Sequence, residues 1–229
     1  MTGTIRRRTF LQGVGLAVAG SFFPWFHGRA YAESAPAPDE ALKSLMEGNA
    51  RYVARDMKLP AHTSQRESMS WGQIPRAIVL GCSDSRVPPE IIFDQNRGEL
   101  FVVRVAGNFV NEDGLASIEY ATKVLGTRLV VVLGHSKCGA VDATIDYVKE
   151  DAKLPGHLPE LVAAIKPAVE EVRGKPGDML ANAIAANATY NARKLSNAKP
   201  LVSKAVAEGQ VKVVSGVYDL ETGQVKLLS

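Results

Sequence analysis

Two short segments carry residues whose types and spacing can do chemistry together: Gly81-Cys82-Ser83-Asp84-Ser85-Arg86 and Gly134-His135-Ser136-Lys137-Cys138-Gly139. They hold both cysteines of the 229-residue chain and one of its four histidines. Two thiolates and an imidazole make a zinc-binding set. Three protein ligands leave one tetrahedral position open, as catalytic zinc requires and structural zinc does not. His135 and Cys138 are three apart and can reach one metal across a tight strand-to-helix turn. Cys82 lies 53 positions before His135, which excludes a zinc finger built from two local pairs. A His-x-x-Cys by itself is weak evidence; joined to Cys-x-Asp-x-Arg at the end of another strand it is strong. The competing reading is one disulfide, but a disulfide has no use for the histidine or for Asp84 and Arg86.

The elements that must position these residues follow from hydrophobic patterning. Both segments come directly after apolar β-like runs, residues 76–80 and 129–133, so each emerges from the end of a buried strand. Further strands are expected at 100–105 and 211–217, with a turn through Thr222-Gly223 into a short antiparallel edge strand. Helical spacing appears in Leu42, Leu45, Met46, Tyr52 and Val53 after an Ala/Pro linker at 33–38. It recurs in Leu115, Ile118, Ala121 and Leu125 before Gly126, and in Val141, Ile145 and Val148. Residues 158–172 read as a helix broken or kinked at Pro167, Met179 to Leu195 as a long helix, and Pro200 to Gly209 as the last. The expected fold class is therefore α/β: a mostly parallel central sheet of about four parallel strands plus an antiparallel edge strand, flanked by helices. Ligands of such sheets bind beyond the carboxyl ends of the strands, which is where Cys82 and His135 fall.

The amino terminus belongs to a different argument. Arg6-Arg7-Arg8-Thr9-Phe10-Leu11, an apolar Gly/Ala-rich stretch to Phe26 and the small-x-small end Ala30-Tyr31-Ala32 resemble a cleavable twin-arginine export signal over residues 1–32. The stretch is short for a membrane span and is interrupted by Pro24. Its removal takes away four arginines and no acid, leaving 23 basic against 24 acidic residues, so the net charge of +3 becomes −1. The basicity belongs to the signal, and residues 33–229 have no electrostatic case for binding nucleic acid. They suffice for one domain, with 33–55 as linker and helical arm, and contain no second candidate span. A periplasmic or otherwise exported location is expected, and there metal already bound protects thiolates from oxidation.

With these segments in view, the chain resembles the β-class carbonic anhydrases. The likeness rests on Cys82-Ser83-Asp84-Ser85-Arg86-Val87-Pro88 and His135-x-x-Cys138-Gly139, on 99–104 and 117–121, and on Gly48-Asn49-Ala50-Arg51-Tyr52. It implies Cys82, His135 and Cys138 as ligands of one Zn2+, Asp84 and Arg86 as a catalytic dyad, and reversible hydration of carbon dioxide to bicarbonate by zinc-bound hydroxide. It implies no organic cofactor, and a homodimer or homotetramer in which helices like the first cross onto the partner. Members of the family resemble either an open, water-bound zinc or one closed by the aspartate. In some, bicarbonate stabilises the closed form at a site lined by Trp, Arg and Tyr. This chain has Tyr52 and Val53 where the tryptophan would stand, which favours the open form. Two alternatives keep the metal: hydrolysis of carbonyl sulfide or carbon disulfide, and a zinc-bound scaffold without activity.

Other residues are weighed against plainer roles. Gln95 stands where a glutamine near substrate is possible, or is a loop residue; Gly139 offers a backbone amide to a bound anion, or serves a tight turn. His157 is a proton shuttle or, more simply, precedes a helix; His62 is read as exposed and Lys137 as a solvated charge. Arg104 is read as a buried strand-end arginine paired with a carboxylate. Ser83 and Ser85 lack the setting of a nucleophilic serine.

Overall fold

Short runs of Val, Ile and Leu alternate with amphipathic helices, and the chain folds accordingly. The structure is a computed structural model that describes residues 35–58, 66–150 and 154–228. Five strands, β1 (Ala77–Gly81), β2 (Leu100–Arg104), β3 (Leu129–His135), β4 (Lys212–Tyr218) and β5 (Val225–Leu228), form one sheet in the order β2-β1-β3-β4-β5. The first four are parallel and β5 runs antiparallel to β4. The expected signal peptide, and His62, lie outside the described residues.

Seven helices surround the sheet among the described residues: α1 (Pro38–Ala54), α2 (Pro89–Ile92), α3 (Glu112–Lys123), α4 (Gly139–Glu150), α5 (Leu158–Val172), α6 (Met179–Ser196) and α7 (Leu201–Ala207). No helix among them is long and apolar enough to cross a membrane. Every residue of β1 and β3 is buried, and alternate side chains enter different layers. Ala77, Val79, Val131 and Leu133 pack with α1, α4 and α5. Ile78, Leu80, Val130 and Val132 pack with residues of α3, α6 and α7. Each Val, Leu or Ile among them contributes about 1.5–3 kcal/mol when fully buried, which fixes the two central strands most firmly.

β1 lies between β2 and β3, so the chain leaves β1 toward one side of the sheet and β3 toward the other. That reversal makes the carboxyl ends of β1 and β3 the topological switch point, the usual ligand site of an open α/β sheet. The structure also departs from the sequence reading in two places. β3 runs two residues further than expected, because Gly134 and His135 pair with Val217 and Tyr218, placing the histidine in the last ladder position. α5 continues through Pro167 without a break. Both Pro167 and Ala163, whose carbonyl loses its donor, are on the exposed side, where water can satisfy it.

α1 is the helix for which the family likeness implies a partner subunit. It docks on its own chain: Ala41 and Leu45 are fully buried. The side chain of Asn49 donates to the carbonyls of Ile92 (3.1 Å) and Gly223 (2.8 Å) and accepts from the amide of Val225 (2.8 Å). Gly48 makes this approach possible, since a Cβ there would stand 1.8 Å from the Phe93 carbonyl oxygen.

Candidate metal centre

Cys82 follows the last residue of β1, His135 ends β3 and Cys138 immediately precedes α4. Because β1 and β3 pair directly, Gly81 opposite Leu133, the two strand ends bring the three side chains together. All three are buried, and their ligand atoms lie within 4.8 Å of one another. Each is oriented by the backbone around it. Nδ1 of His135 lies 2.9 Å from the carbonyl of Ser136, so it carries the proton and leaves Nε2 as the lone-pair nitrogen. Ser136 is itself held from β4 onward: its amide donates to the Tyr218 carbonyl at 2.8 Å and its Oγ accepts from the Leu220 amide at 2.9 Å. Lys137 adopts a left-handed conformation, φ 56°, that turns the chain sharply between the two ligands.

Sγ of Cys82 accepts from the amides of Asp84 (3.4 Å) and Gly107 (3.3 Å). Cys138 sits at the amino end of α4, where backbone amides and the helix dipole favour an anion. Without a metal the two sulfurs divide one proton unequally. The hydrogen bond from Cys138 holds the Cys82 thiol down at about 4 against the opposing effect of burial, while that same bond and burial push Cys138 up. His135 Nε2 is a buried polar atom with no hydrogen-bond partner. An orphaned lone pair facing two sulfurs is what a thiophilic, tetrahedral cation such as Zn2+ satisfies, so the donor set fits that metal.

Asp84 lies at the edge of this cluster with one carboxylate oxygen 3.9 Å from His135 Nε2. The Arg86 side chain grips it in a fork, Nε to Oδ1 at 2.9 Å and Nη2 to Oδ2 at 2.7 Å, and the Arg86 amide adds a third bond at 2.9 Å. Those bonds, the side-chain pair foremost, keep the carboxyl far below the usual carboxylate range. It is therefore held as an ionised acceptor near neutral pH.

Comparison with known proteins bears on this arrangement directly. The sequence model of the carbonic anhydrase family matches residues 77–225. The chain is 38% identical to the carbonic anhydrase of Mycolicibacterium smegmatis over 196 residues, 84% of this chain and 94% of that one. It is 37% identical to carbonic anhydrase 2 of Mycobacterium tuberculosis over 194 residues, 83% and 92% of the two chains. The solved β-carbonic anhydrase CcaA superposes with a TM-score of 0.64 at 27% identity, covering 83% of this chain and 93% of that one. One of two tetrameric β-carbonic anhydrases from Sordaria macrospora gives 0.65 at 26% identity, covering 83% and 98%. The chain belongs to the β-class carbonic anhydrase family. It is thus an enzyme of the carbonic anhydrase kind, and the cluster of Cys82, His135 and Cys138 is its candidate metal centre.

In this β-class carbonic anhydrase the other candidate residues fall differently. Gln95 is buried at the end of α2, where its Nε2 donates to the carbonyls of Phe93 (2.7 Å) and Asp94 (3.2 Å); neither bond engages the metal cluster. Gly139 opens α4 without a positive φ, and a Cβ there would meet nothing within 4 Å, so turn geometry does not explain this glycine. Arg104 is exposed and pairs with no carboxylate in its described bonds. Its side chain donates instead to the carbonyls of Cys82 (2.8 Å) and Asp84 (2.5 Å), bracing the Cys82–Asp84 turn. Lys137 is exposed and paired with Glu221. His157 stands on the surface just before α5. Sequence reasoning missed Gly107, whose contribution is a backbone amide; its only signal was a glycine in the Ala106-Gly107-Asn108 loop.

Proposed function

We propose that this chain catalyses the reversible hydration of carbon dioxide to bicarbonate and a proton, with one Zn2+ held by Cys82 Sγ, His135 Nε2 and Cys138 Sγ. The observation that carries the proposal is the buried convergence of these three atoms, with the histidine tautomer fixed and its Nε2 unpartnered. Bound there, zinc supplies Lewis-acid activation of water near neutral pH, with the two thiolates balancing its charge. The chain's own residues do the rest. Asp84, locked by Arg86, accepts a hydrogen bond from the attacking oxygen and aims its lone pair. The Asp84–Arg86 fork also favours the open resting form, because a carboxylate bound bidentately by arginine is not free to close the centre.

Residues 1–32 act, in this proposal, as a twin-arginine signal that exports the enzyme already folded and metallated. The exported chain assembles as a homodimer or homotetramer. In support, β2 pairs only with β1 among the described residues and presents the half-buried Phe101, Val102 and Val103 at an open sheet edge. The deciding experiment is stopped-flow hydration of carbon dioxide by the processed protein carrying one zinc per chain. A rate above buffer at pH 8 is expected. A buffer-level rate with full zinc occupancy sinks the proposal, and turnover of carbonyl sulfide or carbon disulfide in the same samples would reassign the substrate.

A further inference from the structure

Two buried asparagines on α6 take no part in the chemistry described so far. Asn187 and Asn191 are 0% and 1% exposed, on a helix whose other buried residues are Ala, Ile and Leu. A buried amide is costly unless its hydrogen bonds are made, and these are made to a single loop. Asn187 Nδ2 donates to the Gly107 carbonyl at 2.7 Å, and Asn191 Oδ1 accepts from the Val110 amide at 3.0 Å. Asn191 Nδ2 donates back to the carbonyl (2.9 Å) and side-chain Oδ1 (3.1 Å) of Asn187, which orients that amide. One turn further along, Lys194 Nζ donates to the Val110 carbonyl at 3.0 Å. Positions 187, 191 and 194 share one helix face, so the ladder grips the 107–110 segment at both ends.

The gripped segment begins with the residue whose amide reaches Cys82. Gly107 has φ +82°, a conformation that only glycine adopts freely, and a Cβ there would stand 2.5 Å from Ile165 Cδ1. Nothing intrinsic to glycine holds its dihedrals, so the bonds on either side must. We propose that Asn187, oriented by Asn191, is a positioning residue of the metal centre: it fixes Gly107 so that its N–H stays on the Cys82 sulfur. A thiolate that accepts a fixed amide bond is preorganised for the metal and donates less charge to it, as surrounding hydrogen bonds do in other metal sites. The inference rests on the proposed occupancy of the centre by metal.

The test uses the processed full protein loaded with zinc or with Co2+. Asn187→Leu is expected to release zinc to a chelator roughly 10-fold or more faster than wild type, and to shift the sulfur-to-cobalt charge-transfer band to lower energy. Asn49→Leu is the control, because it removes comparable buried bonds, none of them to the 107–110 segment or to Cys82; it should lower thermal stability and leave the release rate and the band unchanged. If the leucine variant does not accumulate, Asn187→Ser, which reaches the Gly107 carbonyl only through water, should give smaller changes in the same directions. Wild-type release and band position in the Asn187 variant, or equal changes in Asn49→Leu, overturn the positioning role alone. Failure of wild type to take up either metal overturns the metal-centre proposal and this inference with it.

Discussion

Asp84 and Cys82 are two residues apart, yet their substitutions separate two kinds of failure. Asp84→Asn keeps the shape of the side chain but removes its charge and turns one of the two acceptor oxygens held by Arg86 into a donor. Zinc content should stay at one per chain while kcat/KM for hydration falls roughly 100-fold or more, the scale of a positioned proton-handling group. Cys82→Ser removes a ligand, and metal analysis of the purified protein should show the zinc gone. Equal zinc loss in both would make Asp84 a ligand or a structural residue. Metal removal exposes a second property of the same side chains. With the two sulfurs among atoms clustered within 4.8 Å and the Cys82 thiol lowered by its hydrogen bond with Cys138, the stripped protein is poised to oxidise. Dialysis against chelator in air should form a Cys82–Cys138 disulfide, dioxygen taking the two electrons, seen as a loss of two hydrogen atoms in the intact mass, and zinc should restore activity only after reduction.

Elements transmit the positions of these residues, and their tolerances differ. Gly48→Ala places a methyl group against the Phe93 carbonyl, so α1 must lift and strain the three Asn49 bonds. A loss of about 1–3 kcal/mol in denaturant unfolding is expected, with little change in zinc content because α1 holds no ligand. The turn into β5 depends on ionised Asp219, which accepts from the amides of Thr222 (2.7 Å) and Glu221 (3.0 Å) and the Thr222 hydroxyl (2.9 Å). The Thr222 bonds chiefly lower its pKa, so its contribution is present above the unfolded carboxyl value of 3.8 and is lost as pH falls through the lower folded value. The stability difference between wild type and Asp219→Ala, measured by urea titration, should therefore be constant from pH 7 to pH 5 and shrink below pH 4. These elements also show why some of the site was legible in the sequence and some was not. Uninterrupted apolar runs announce strands buried on both faces, and a ligand directly after each run is placed by the strand itself; hence Cys82 and His135. What covers an amphipathic helix is not written in its periodicity, which is why the docking of α1 on its own chain through Asn49 was missed. The Gly107 amide is invisible for a deeper reason: its identity as a donor to sulfur depends on loop path, and every residue but proline offers the same amide.

At the scale of the whole molecule, charge and oxidation state tie the two ends of the sequence together. The whole chain carries +3 and the part from residue 33 carries −1, a difference due wholly to arginines in the first 32 residues. Under the proposed twin-arginine export and zinc occupancy, a route that accepts folded cargo would let zinc bound in the reducing cytoplasm shield both sulfurs before the protein meets an oxidant. The signal and the metal centre are then coupled: export should require folding, and folding should include metal uptake. Arg7→Lys with Arg8→Lys changes the paired arginines while preserving charge, so a purely electrostatic targeting step would not notice it. The expected outcome on fractionation of expressing cells is an unprocessed, zinc-loaded and active enzyme retained in the cytoplasm, against a wild-type product beginning at Glu33 outside it. Continued processing and export of the double variant would reject the twin-arginine assignment. A Cys82→Ser precursor with an intact signal supplies the second half of the coupling. If metal uptake completes the fold, this chain should also remain inside, despite its unaltered arginines, and its efficient export would show that folding and metal loading are separate events.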